Sequence, residues 1–206
     1  MTDERDGQTY KTVKIGNQTW MAENLNYRYL GPTVNLDSSS FCNYNDAANC
    51  TKYGRLYLWS AAMDSAGIID GNTANGCGYY SECSPGGTVR GVCPKGWHLP
   101  SKSEWDELIT AVGDSSVAGK MLKSETGWQS YLRVENTDAY LFSALPAGGR
   151  NNNGDYYYEG GYAYFWSSTE YTSGNAYEMH LYYDNDDADL PIANKDYGFS
   201  VRCLKD

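Results

Sequence analysis

The chain has 206 residues, enough for one domain with a sizeable core, and 41% of them are hydrophobic. Twenty Tyr and six Trp exclude a disordered chain, because such chains lack large aromatic bodies to bury. The formal net charge of −10 and a pI near 4.6 argue against a nucleic-acid partner, since no basic stripe is visible.

No apolar run approaches the ~20 residues of a spanning helix, so no direct membrane span is expected. Residues 1–6 read as a flexible N-terminal tail ahead of a single domain covering 1–206. The polar opening MTDERDGQTY carries no leader pattern. An oxidising destination would then require a leader trimmed ahead of it; a cytosolic start is the alternative.

In chain order, the first signal is a hairpin. Thr12, Lys14, Gln18 and Trp20 alternate with Val13, Ile15 and Thr19 around Gly16-Asn17, a dipeptide suited to positive φ. MAENLNY follows as a turn or short helix. From Gly31 to Asn49 the chain is Ser/Asn/Asp-rich and reads as loop. YGRLYLWSAAMDS passes from strand-like alternation at Leu56 and Leu58 to helical spacing at Trp59, Ala62 and Met63.

The surest element begins after Pro100. Ser101 and Glu104 form a capping-box pair, and Trp105, Leu108, Ile109 and Val112 fall on one stripe that Gly113 terminates. A second short helix is expected near Val117–Lys123. From Ala139 onward, YLFSALPAG, YAYFWSSTE, NAYEMHLYY and GFSVRCL read as strands separated by Gly/Asn/Asp clusters. In the third of these, Glu178, His180 and Tyr182 share one face, opposite Tyr177, Met179, Leu181 and Tyr183.

Six cysteines allow fifteen connectivities. Short polar loops close with the least strain, so the expected bridges are Cys42–Cys50, Cys77–Cys83 and Cys93–Cys203. A zinc reading is weaker, because there is no C-x2-C pair and only two histidines, His98 and His180. Disulfides place the chain outside the cytosol or at the cell surface.

Six ordered segments carry a family likeness: TVKIGNQTWMAENLNY, YGRLYLWSAAM, CPKGWHLPSKSEWDEL, FSALPAGGR, FWSSTE and GFSVRC. Together they resemble the Fibrobacter succinogenes major paralogous domain family, from about Gly7 to Asp206. That family looks like a branch of the C-type-lectin-like superfamily, related also to the formylglycine-generating fold. The resemblance implies an α+β, C-type-lectin-like domain: a mixed, mostly antiparallel sheet with two helices and long disulfide-stapled loops. It implies a secreted or surface-anchored protein and brings no defined activity.

Departures limit what the likeness carries. The terminal cysteine pair that holds copper in formylglycine-generating enzymes is absent, since only Cys203 lies there. The Glu-Pro-Asn and Trp-Asn-Asp triplets of calcium-dependent lectins are missing too.

The unusual chemistry lies between Arg150 and Lys195. That interval holds no Lys or Arg, eight Asp or Glu and nine Tyr. Tyr presents a rigid amphipathic surface, with Ser, Gly and Asn as adaptable hydrogen-bonders, and this mixture suits binding loops. The expected contacts are Tyr156, Tyr158, Tyr164, Trp166, Glu170, Tyr182, Asp184 and Asn185. The rings would stack on a sugar, and the polar groups would take its hydroxyls. Trp166 is also the residue type that strands most often bury.

The expected partner is a polysaccharide or cell-surface glycan, or another surface protein. A display scaffold without a sugar site is the alternative. No cofactor is needed, although Asp184, Asp186, Asp187 and Asp189 could supply oxygen ligands to Ca2+; a solvated acidic turn is the preferred reading. A hydrolase would need paired carboxylates, with Glu170 and Glu178 or Asp184 as candidates, and no G-x-S-x-G elbow is present. Binding is preferred to catalysis.

Overall fold

The computed structural model describes residues 1–32 and 39–206, so part of the expected 31–49 loop lies outside the described residues. Strands Thr12–Ile15 and Gln18–Met21 form the expected hairpin with Ile15 opposite Gln18. Gly16 takes φ 57°, the left-handed value that a two-residue turn needs at its first position. Leu204–Lys205 adds to this hairpin and pairs in turn with Trp97–His98, giving a four-stranded antiparallel sheet.

A second sheet is built on the long hairpin Tyr162–Thr172 and Asn175–Tyr182, extended by Ala188–Asp189 and Ile192–Asn194. A third orders Ser40–Phe41, Leu56–Leu58, Gly198–Phe199, Gly149–Arg150 and Tyr156–Tyr157. Every ladder among the described residues is antiparallel. Parallel geometry is confined to isolated bridges such as Phe165 with Ser200.

The two faces of the long hairpin feed two cores. Ala163, Phe165, Met179 and Leu181 pack with Trp20, Trp105, Leu108, Val112, Leu122 and Phe142. Tyr164 and Trp166, pointing the other way, join Tyr57, Trp59, Phe199, Val201 and four of the cysteines. Alternation with period 2 produces this division directly.

Helix Lys102–Ala111 starts with the full capping box: Ser101 Oγ accepts the Glu104 amide, and Glu104 Oε2 accepts the Ser101 amide at 2.7 Å. Helix Ser115–Leu122 follows, capped by Asp114. One helix corrects the expected count, Ala47–Tyr53, and the helical spacing at Trp59, Ala62 and Met63 forms the single turn Trp59–Ala62. The first lies where the polar composition reads as loop. Asp46 caps it through the Ala48 amide, and Cys50 within it is bridged back to Cys42.

All three expected disulfides are present, with Cα separations of 4.8, 5.0 and 5.9 Å. Two other expectations change. Residues 1–6 are not a free tail: Asp3 is buried and bidentate to Arg5, whose guanidinium also donates to the Val92 carbonyl. The segment YLFSALPAG is no strand; Leu141 and Ser143 take positive φ, and its carbonyls at Phe142 and Ser143 accept from Arg202.

Candidate functional site

Cross-strand register decides which side chains of the long hairpin meet. Tyr162 lies opposite Tyr182, Tyr164 opposite His180, and Trp166 opposite Glu178. These six share one face, as the alternation predicts for Glu178, His180 and Tyr182. At the Trp166 end the face is covered by the core; at the Tyr162 end it opens to solvent.

The covered end removes two expected contacts. Trp166 is fully buried and its indole N–H donates to the Tyr57 carbonyl at 2.7 Å. Tyr164 is buried and stacks on Phe199, centroids 4.6 Å apart and 14° from parallel. Burial pushes its hydroxyl pKa far above the ordinary tyrosine value. Both are packing residues.

Two more expected contacts are engaged elsewhere. Glu170 Oε2 accepts from Lys195 Nζ at 2.6 Å, and Lys195 also donates to the carbonyls of Gly78, Ser81 and Ser173. Burial pulls the Lys195 pKa down, and Glu170 opposes the shift. This buried cation joins the Cys77–Cys83 loop to the hairpin tip. Tyr156 points away from Tyr158: its hydroxyl donates to Asn45 Oδ1 and its ring meets Tyr44, a separate patch on the Cys42–Cys50 loop.

The open end keeps the remaining expected residues and adds three the sequence did not single out. Tyr158, 58% exposed at φ 58°, meets Tyr162 edge-on at 4.6 Å. Tyr162 contacts Tyr182 and Tyr183, and Tyr183 contacts the exposed Tyr131 at 5.7 Å. Tyr162 and Tyr183 were legible as members of the Tyr-rich interval. Tyr131 sits in SYLRVEN, where no local pattern marks it.

Asp184 and Asn185 border this ring surface. Asn185 Oδ1 accepts the Asp187 amide, closing a turn. Beneath it Lys123, buried, donates to the carbonyls of Tyr182 and Asn185 at 2.7 Å each. Burial lowers the Lys123 pKa to about 8, against the pull of Asp186, Asp184 and Asp187. The four candidate calcium carboxylates are not gathered: among the described residues no three His, Cys, Asp or Glu side chains converge as metal ligands would. Asp189 lies opposite His180 on the neighbouring strand; burial first, and then Asp189, raises the Tyr182 phenol above the ordinary tyrosine value.

Under the rings lies a buried polar pair. His180 Nδ1 is 3.5 Å from Glu178 Oε1, with the two side chains 13% and 4% exposed. Glu178 Oε2 and His180 Nε2 are buried without a hydrogen-bond partner among the described residues. Burial raises the Glu178 pKa, and His180 opposes that shift. Tyr182 lies flat on the imidazole at 4.1 Å and 15°.

Away from the hairpin, an open groove of about 1230 Å³ is lined by residues of both chain ends and of the segment 94–98, including Arg5, Lys95, His98 and Asp206. His98 is clamped there between Asp206 and Glu104, at 2.8 and 3.0 Å.

Fold and surface together define an α+β domain of antiparallel sheets, stapled by three disulfides, that carries a half-exposed tyrosine face on one hairpin. The chain belongs to the Fibrobacter succinogenes major domain family, which it matches over residues 13–205. No curated protein and no solved structure matches it. Among the described residues no helix is long and apolar enough to cross a membrane.

Proposed function

We propose that this chain is a secreted or cell-surface binding module of C-type-lectin-like architecture that takes carbohydrate on the tyrosine face of its long hairpin. The observation that carries the reading is the continuous series of ring contacts Tyr158–Tyr162–Tyr183–Tyr131 on the open end of the hairpin. Rigid rings with two rotatable bonds lose little entropy when they are covered, and their faces suit the CH surface of a pyranose. Asp184 and Asn185 at the border supply acceptors for sugar hydroxyls. Three disulfides agree with an oxidising compartment. The role proposed is adhesion or retention at a polysaccharide surface, with no chemical step.

A glycan array and an insoluble-polysaccharide pull-down test this. Wild-type protein is expected to bind, and Tyr158→Ala/Tyr162→Ala to lose roughly tenfold or more in affinity, about the worth of two aromatic contacts. The double variant should melt within a few degrees of wild type, since Tyr158 is exposed and Tyr162 half-buried. Equal binding by the double variant would sink the proposal.

A further inference from the structure

We infer that the tyrosine face is selective for amine-bearing saccharides, glucosamine-type units, whose ammonium group reaches the buried Glu178–His180 pair beneath Tyr182. The inference rests on the carbohydrate reading above and adds the chemical class of the ligand.

Three observations converge on it. First, the pair presents two unpartnered polar atoms. Glu178 Oε2 is a carboxyl oxygen that accepts, and His180 Nε2 accepts in the tautomer that turns Nδ1–H to Glu178 Oε1. A buried acceptor left unpaired is costly, so this site is built for a donor. Second, the walls are aromatic. Tyr162, Tyr164 and Tyr182 pack around His180 at centroid distances of 5.2, 4.4 and 4.1 Å. Ring faces attract an ammonium ion more than a hydroxyl, because the negative face of the ring quadrupole meets a full positive charge.

Third, no protein cation competes within the interval. Residues 151–194 contain eight carboxylates and no Lys or Arg, and the nearby Lys123 already donates to two carbonyls. The resulting negative field draws a cation toward the face before contact. The titratable groups near the pair are Asp189 on the neighbouring strand and the neutral phenols of Tyr157, Tyr164 and Tyr182. None of them supplies a positive charge. Tyr182 is half-buried and lies over the His180 imidazole, the member of the pair nearer the open end of the face, and Glu178 lies behind it opposite Trp166.

The test compares β-linked oligomers of glucosamine, N-acetylglucosamine and glucose of equal length, by calorimetry at low ionic strength. Glucosamine oligomers are expected to bind about tenfold more tightly than the other two, the size of one ammonium–aromatic contact with a carboxylate behind it. Glu178→Gln should abolish that preference, so that the glucosamine oligomer binds no more tightly than the glucose oligomer.

Because Glu178→Gln could fail to fold, a wild-type salt titration stands beside it: added salt must weaken glucosamine-oligomer binding more than glucose-oligomer binding. Equal affinity for the three oligomers, or equal salt response, overturns the inference while leaving the carbohydrate reading intact. No binding to any oligomer overturns both. A lysine peptide that binds as tightly as the glucosamine oligomer overturns the saccharide class.

Discussion

Lys123 follows the helix Ser115–Leu122 and sends its ammonium group into the turn 184–187, where two carbonyls receive it. The neighbouring acidic side chains give that turn its negative charge, and the lysine below partly offsets it. A buried donor with this many acceptors cannot be removed without leaving carbonyls unpaired. Lys123→Met is expected to destabilise by about 3 kcal/mol and to loosen Tyr182 and Tyr183. Chemical denaturation measures the first effect, and hydrogen exchange of the 182–187 amides the second. Unchanged protection there would refute the anchoring role. Lys195 and Arg202 act in the same way on other loops. Arg202 is buried, donates to Asn24 Oδ1 and to the carbonyls of Met21, Phe142 and Ser143, and is lowered by burial to about 9. Sequence reading missed all three roles, because a lysine or arginine in a polar stretch reads as solvated until its surroundings are known.

The capping-box helix shows what a single element can and cannot reveal. Its start, its apolar stripe and its terminating Gly113 were all legible locally. Its link to the C-terminal strand was not. His98 stands opposite Leu204 in the ladder, and its two ring nitrogens face Glu104 and Asp206, an arrangement that only the imidazolium satisfies as a double donor. Burial pulls the His98 pKa down, but the hydrogen bonds to Glu104 and Asp206 outweigh it and leave the group raised. Burial pushes Glu104 up, and its bonds from His98 and Ser101 leave it lowered.

A raised histidine contributes stability that is complete below its unfolded value, 6.5, and lost as pH rises through the folded value. A lowered glutamate contributes stability above 4.5 that is lost as pH falls through its folded value. The clamp is therefore complete between about pH 4.5 and 6.5 and fades above. Unfolding free energies of wild type and His98→Gln should differ most in that window, by on the order of 1 kcal/mol, and converge toward pH 9. A difference that does not change with pH would show that the clamp is not ionic.

On the scale of the whole molecule, three covalent closures hold three antiparallel sheets together. Cys93–Cys203 spans 110 residues, whereas the other two span 8 and 6. In the chain-entropy treatment the long bridge contributes about 5 kcal/mol and each short one about 2.5. Cys93→Ser/Cys203→Ser should lower the unfolding free energy roughly twice as much as removing either short bridge. Denaturant melts of the three double variants check the order, and a long bridge worth no more than a short one would contradict it.

The sequence by itself determined the long hairpin, the capping-box helix, the two short disulfides, the family and the tyrosine-rich interval, because each depends on neighbours close in the chain or on residue type; Cys93–Cys203 followed as the pair left over. It could not decide which tyrosines face water. Tyr158, Tyr162 and Tyr164 look alike in sequence. Only the packing of Phe199, from a strand more than thirty residues later, covers Tyr164 while leaving Tyr158 exposed. Glu170 likewise reads as a free carboxylate until Lys195 is folded against it. The candidate face and the buried Glu178–His180 pair exist because strand register and long-range packing bring them together. Those are the terms in which a residue's surroundings, rather than its identity, set its role.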